Sequence, residues 1–92
     1  MYIILFYDIA DRTQKERDNS RRIRKACEKY LNRVQFSVFE GQLSASSFKT
    51  LQHTLKKECV ETLDSIIIYC FEGLSYSTRH VIGLDKNEPL FT

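Results

Sequence analysis

Asp8 closes an apolar run. The stretch Tyr2–Tyr7, YIILFY, carries no charge, and the first carboxylate of the chain follows it directly. An unpaired buried charge is very costly, so such a residue belongs at the strand's C-terminal end. That end is the rim of a sheet, where sites are commonly built. Alone, an aspartate there could also cap a turn or pair with an arginine. The residues that follow favour chemistry. Between Asp11 and Arg33 stand nine Lys or Arg against four Asp or Glu, in a chain whose net charge is only +2. A basic region this local suits one polyanion-facing surface rather than general stickiness. One aspartate is neither an acid/base pair nor a metal cage. Mg²⁺ accepts sparse ligation, however: one or two carboxylates with waters and substrate phosphates. A twofold dimer that brought two copies of Asp8 together would supply the second carboxylate. A metal held there would polarise a phosphodiester and activate water.

Other chemistries find less support. Ser37 has no neighbouring base in sequence. His53 and His80 stand apart from Cys27, Cys59 and Cys70, which form no CxxC pair and are odd in number. Neither a zinc site nor a disulfide framework follows, and three reduced thiols fit a cytoplasmic protein. The apolar run is too short to span a bilayer and has no basic stretch before it, so neither a membrane partner nor a signal peptide is expected.

The 92 residues allow one domain, with 42% hydrophobic and 28% charged residues as in an ordinary globular protein. Tyr2–Ile9 reads as a central strand. Ala10–Asn19 reads as a polar loop, with Asn19 or Ser20 capping a helix. Ile23, Ala26, Cys27, Tyr30, Leu31 and Val34 recur at three- and four-residue steps and give that helix one buried face. Arg21, Arg22, Lys25, Lys29 and Arg33 fall together on the opposite face. Glu28 is the only acid between Asn19 and Arg33, so this face is not self-neutralised and suits phosphates. VQFSVFEGQL reads as a strand ending near Gln35, a tight turn, and a strand from Ser37 to Leu43. Tyr7, Phe36 and Phe39 are read as core rather than as a stacking platform. Ser44, Ser46 or Ser47 caps a second helix with a Phe48, Leu51, Leu55, Cys59 stripe. Asp64–Phe71 is a further strand, Glu72–Thr78 a loop, and Arg79–Thr92 a tail with one more short strand.

Strand, helix, strand, strand, helix, strand is the split βαβ order of a ferredoxin-like α+β sandwich, with an antiparallel sheet and two helices on one face. Ile, Leu, Phe and Tyr point both ways from the two central strands, so the second face needs cover. A homodimer packed sheet to sheet would supply it. The expected division is a domain over residues 1–78 and a C-terminal strand or tail over 79–92, pairing with the partner subunit.

YDIADR, RRIRKACEKY and RVQFSVFEGQL together resemble the CRISPR-associated protein two family, small adaptation proteins also described as endonucleases. The likeness is strongest from Met1 to about Leu43. It implies a ferredoxin-like homodimer whose last strand completes the partner's sheet, with Mg²⁺ or Mn²⁺ between two copies of Asp8. It implies metal-dependent cleavage of single-stranded RNA or duplex DNA, and a duplex-bound complex with the CRISPR integrase. By position, Tyr7 and Asp8 match the strand-end pair, Arg21 and Arg22 the arginines opening the helix, Arg33 the basic residue before the second strand, and Phe39 the aromatic of SVF. These six are the expected catalytic residues, with Asp8 the metal ligand. The loop ADRTQKERDNS is longer than the family's, so Arg12 and Arg17 stand as substitutes for Arg21 or Arg22. Arg12, Arg17, Arg21, Arg22, Lys25, Lys29 and Arg33 form the expected nucleic-acid surface. Two other functions fit the same features: a non-catalytic adaptor bridging integrase dimers, and a ribonuclease toxin of the virulence-associated protein D type.

Overall fold

Strict alternation shapes the first strand, β1 (Tyr2–Asp8). Ile3 and Leu5 are fully buried, while Tyr2 and Phe6 remain exposed. The structure, a computed structural model, describes residues 1–73 and 76–84. After β1 come α1 (Gln14–Tyr30), β2 (Asn32–Gln35), β3 (Val38–Gln42), α2 (Ala45–Glu58), β4 (Ser65–Gly73) and β5 (Tyr76–Gly83). One antiparallel sheet runs in the order β2-β3-β1-β4-β5. Its first four strands have the expected ferredoxin-like order, and β5 is added beside β4.

The first helix begins earlier than expected. Thr13, not Asn19 or Ser20, is the N-cap: its side chain accepts from Glu16 N at 3.1 Å. Glu16 Oε1 in turn takes the Arg12 and Thr13 backbone N–H groups at 2.8 and 3.0 Å. This is a capping box, and the spelling Thr-Gln-Lys-Glu carries its signature. Gln14–Asn19 is therefore helix rather than loop. Ile23 and Cys27 are buried as the periodicity required. The helix closes at Leu31, whose N–H donates to Cys27 O at 2.8 Å. Arg33 consequently lies on β2 and not on the basic helix face.

Ser44 caps α2, accepting from Ser47 N at 3.2 Å. Phe48, Leu51 and Leu55 are its buried stripe, and Cys59 follows as the C-cap residue. Both helices lie on the sheet face that presents Ile3, Leu5, Phe39, Ile66, Ile68 and Ile82. The stretch expected as a loop, Glu72–Thr78, is corrected: Glu72 and Gly73 belong to β4, and Tyr76–Thr78 open β5. β5 runs across the boundary expected between residues 78 and 79 and pairs with β4 of its own chain. The rest of the expected tail, 85–92, lies outside the described residues. Gly83 adopts a φ of 88°. A Cβ there would stand 2.1 Å from the Asp64 carbonyl oxygen, which also takes the Leu84 N–H at 2.9 Å. Only glycine fits this closure.

Among the described residues, no helix lies on the other sheet face. Register partners share a face, so Tyr2, Ile4, Phe6 and Asp8 of β1 lie with Val38 and Glu40 of β3 and with Ile67, Tyr69 and Phe71 of β4. Phe6 and Tyr69 meet edge-on, with centroids 6.0 Å apart. Among the described residues, no helix is long and apolar enough to cross a membrane.

Candidate nucleic-acid interface and active site

Asp8 is the last residue of β1, exposed, at one end of the helix-free sheet face. The loop behind it is held down by Asp64, which is 1% exposed. Asp64 Oδ1 accepts from Ala10 N at 3.0 Å, and Oδ2 accepts from Asn19 Nδ2 at 3.1 Å and from Val60 N at 2.8 Å. One carboxylate thus ties the loop after Asp8 to α1 and to the turn before β4. Asn19, expected as a cap, is buried and serves this network.

Beside Asp8 opens a groove of about 410 Å³, bordered by Tyr7, Asp11, Arg17, Arg21, Arg24 and Phe36. Arg17, Arg21 and Arg24 follow one another at helical steps of four and three, one stripe along α1. Arg17 folds back over the loop, with Nη1 to Asp11 O at 3.4 Å and Arg12 O at 3.3 Å, and Nη2 to Gln14 Oε1 at 3.2 Å. Arg21 stands 3.6 Å from Asp18 and Arg24 3.4 Å from Glu28. Both pairs are solvent-exposed, and such pairs contribute only about 0–1 kcal/mol, so either guanidinium can turn to a phosphate at small cost.

The expected basic surface therefore divides. Arg22 leaves the Asp8 groove and pairs with Glu58 of α2 at 2.8 Å, beside a second cleft of about 370 Å³ between the start of α1 and the end of α2. Arg12 borders a third cleft, of about 500 Å³, on the other side of Asp8. Lys25 and Lys29 are exposed and border none of these three, and Lys29 Nζ lies 5.6 Å from the centre of the Tyr30 ring. Arg33 turns to the β2–β3 hairpin, donating to Phe36 O from Nε at 3.1 Å and from Nη2 at 2.8 Å. Arg24 takes the place in the groove expected for Arg22. A helix started at Thr13 brings Arg17 onto the Arg21–Arg24 stripe, and that cap is legible in the sequence.

Tyr7 donates its hydroxyl to Phe36 O at 3.4 Å and packs on Phe39, with centroids 5.7 Å apart. Burial, then the nearby Cys27, raises its phenol above the ordinary value, with Arg33 and Arg24 opposing in part. A phenol so raised keeps its proton at neutral pH and acts as a donor. Phe39 is fully buried, so it supports Tyr7 and cannot itself touch a substrate. Phe36 departs from the core reading altogether: it is 80% exposed.

Among the described residues, no cluster of three His, Cys, Asp or Glu could hold a metal ion. Asp8 and Asp11 border the same groove. Exposed oxygen donors beside an arginine-lined groove match the sparse protein ligation of Mg²⁺ and lack the closed donor set of a structural zinc site.

A family model described as CRISPR associated protein Cas2 matches residues 1–79. The chain belongs to the Cas2 family. A curated Cas2 protein from Dictyoglomus turgidum, named a CRISPR-associated endoribonuclease, is 34% identical over 91 residues, which cover 96% of this chain and 94% of the relative. One of the same name from Pyrococcus furiosus is 38% identical over 87 residues, covering 95% and 93%. The crystal structure of Streptococcus pyogenes Cas2 superposes with a TM-score of 0.70 at 34% identity, covering 77% of this chain and 86% of that one. Family membership sets aside the toxin reading.

Proposed function

We propose that this Cas2-family chain is a cytoplasmic, homodimeric, Mg²⁺-dependent endonuclease, with single-stranded RNA as its substrate. One observation carries the reading: Asp8 lies where the helix-free apolar sheet face meets a groove lined by three arginines. Two such faces packed together would cover Tyr2, Ile4 and Phe6, and would bring the two copies of Asp8 toward one axis. The edge strand β5 is then free to extend into the partner's sheet. In the groove, Arg17, Arg21 and Arg24 hold the phosphate oxygens and offset their charge as the bond breaks. Tyr7 and Arg33 keep the hairpin at the groove's edge through the Phe36 carbonyl. Phe39 keeps Tyr7 in place. Asp8 would hold the metal, which when bound polarises the phosphodiester and lowers the pKa of a water. The names of the relatives support RNA as the substrate.

A second reading rests on a different observation. Lys25 and Lys29 are exposed away from the Asp8 groove, where they suit duplex backbone contact without chemistry. In that reading the dimer is an adaptor that lies along DNA with the CRISPR integrase, and Asp8 is catalytically silent.

The test is cleavage of single-stranded RNA and of duplex DNA by wild type and Asp8→Ala, with Mg²⁺, with Mn²⁺ and with chelator. The nuclease reading expects metal-dependent cutting of RNA that the substitution abolishes. Wild-type protein that binds duplex yet cuts nothing makes the adaptor the function.

A further inference from the structure

Phe36 is the residue that the fold explains least. It occupies the tip between β2 and β3, where turn chemistry favours Gly, Asn, Asp or Ser, and it buries little of its ring. A single exposed aromatic is by itself ordinary. Three further facts make this one unusual. Its carbonyl is held three times, by Arg33 Nε, Arg33 Nη2 and the Tyr7 hydroxyl. The Arg33 guanidinium also lies over the ring, 4.8 Å from its centre. Phe36 borders the same groove as Arg17, Arg21, Arg24 and Asp8. The ring is thus fixed at its backbone, backed by a cation on one face, and open on the other, at the edge of a cationic channel.

We propose that Phe36 is a stacking platform for an unpaired nucleobase, which lies on the ring face away from Arg33 while the adjoining backbone follows the arginine groove toward Asp8. This rests on the nucleic-acid reading given above and deepens it, because it names what sets strand selectivity. An aromatic ring accepts any base, since every base has a π-face, so the platform reads strandedness and not sequence. Duplex bases are stacked on each other and cannot reach it. The guanidinium behind the ring adds a cation–π contact and keeps the ring from collapsing onto the sheet. Tyr7 and Arg33 become positioning residues whose common object is one carbonyl.

The experiment uses the full chain with chelator, so that nothing is cut. The probe is a short single-stranded RNA carrying 2-aminopurine, together with the same sequence as a duplex. Wild type is expected to bind the single strand and to quench the 2-aminopurine. Phe36→Ala is expected to lose about tenfold in single-strand affinity, together with the quenching. Its duplex affinity should not change, and Phe36→Trp should restore both single-strand signals. Phe36 is exposed, so Phe36→Ala should melt with wild type. Wild type that binds neither probe removes the nucleic-acid reading and this inference with it. Wild type that binds, with Phe36→Ala equal to it on the single strand, overturns the platform alone. So does a Phe36→Ala protein of altered oligomeric mass with quenching intact, because the ring would then meet protein.

Discussion

Asp64→Asn should destabilise the fold by about 2–4 kcal/mol, and the geometry says why. The Asp64 carboxylate receives three N–H donors and gives none. Two converge on Oδ2 and one on Oδ1. An asparagine would turn its oxygen toward the pair, Asn19 Nδ2 and Val60 N. Its amide nitrogen would then face Ala10 N, donor against donor. One charge-assisted bond, worth about 1.5–3 kcal/mol, disappears, and two others weaken to neutral strength. In a domain of this size, each kcal/mol moves Tm by about 4–8 °C, so the midpoint should fall by roughly 8–32 °C. Denaturant unfolding of wild type, Asp64→Ala, Asn19→Ala and their double variant gives the coupling directly, because each of these single changes removes the Asn19–Asp64 bond that Asp64→Asn would keep. The Asn19–Asp64 coupling should be about 1 kcal/mol or more. Asp64→Asn within about 0.5 kcal/mol of wild type, or additive losses across the cycle, would refute this account of how the loop behind Asp8 is held.

Phe6→Arg puts a charge in the middle of the helix-free sheet face and should turn a dimer into a monomer by light scattering; a wild-type monomer would remove the sheet-to-sheet pairing itself. Replacing Arg17, Arg21 and Arg24 together by Gln should weaken single-stranded RNA binding and lower its salt slope by roughly 0.7 for each phosphate no longer neutralised, while Arg22→Gln should leave the slope unchanged. Burial, with Glu28 adding to it, pushes the Cys27 thiol up to about 12 from 9.0. Between those two values the unfolded chain has released this proton and the folded chain still holds it, so stability is whole below pH 9 and falls as pH rises toward 12. Cys27→Ala should flatten that alkaline fall by at most about 1.4 kcal/mol per pH unit, and an equal slope in both proteins would show that Cys27 contributes nothing to it.

Much of the frame is written locally. The three- and four-residue steps of Ile23, Cys27, Phe48, Leu51 and Leu55 name the buried helix faces, because the period of a helix is a property of its own backbone. Tyr2–Tyr7 is apolar throughout and announces a central strand without saying that Ile3 and Leu5 are the residues it buries. Ser44 announces α2 in the same way, and so does the Thr13–Glu16 box, which a loop reading of Ala10–Asn19 overlooks. Asp8 at a strand end beside a basic helix is equally local, and the family likeness follows from the same stretches. Tertiary packing alone decided the rest. Whether Arg22 or Arg24 joins the groove depends on how α1 is rotated against the sheet edge, and that rotation is set by which residues bury against α2 and β3. Asp64 meets Ala10 and Asn19 only because β4 returns beside β1, bringing together residues 54 and 45 positions apart. Phe36 reads as core because its type is apolar. It is exposed because it sits in the turn between β2 and β3, where the Arg33 guanidinium lies over its ring in place of an apolar neighbour.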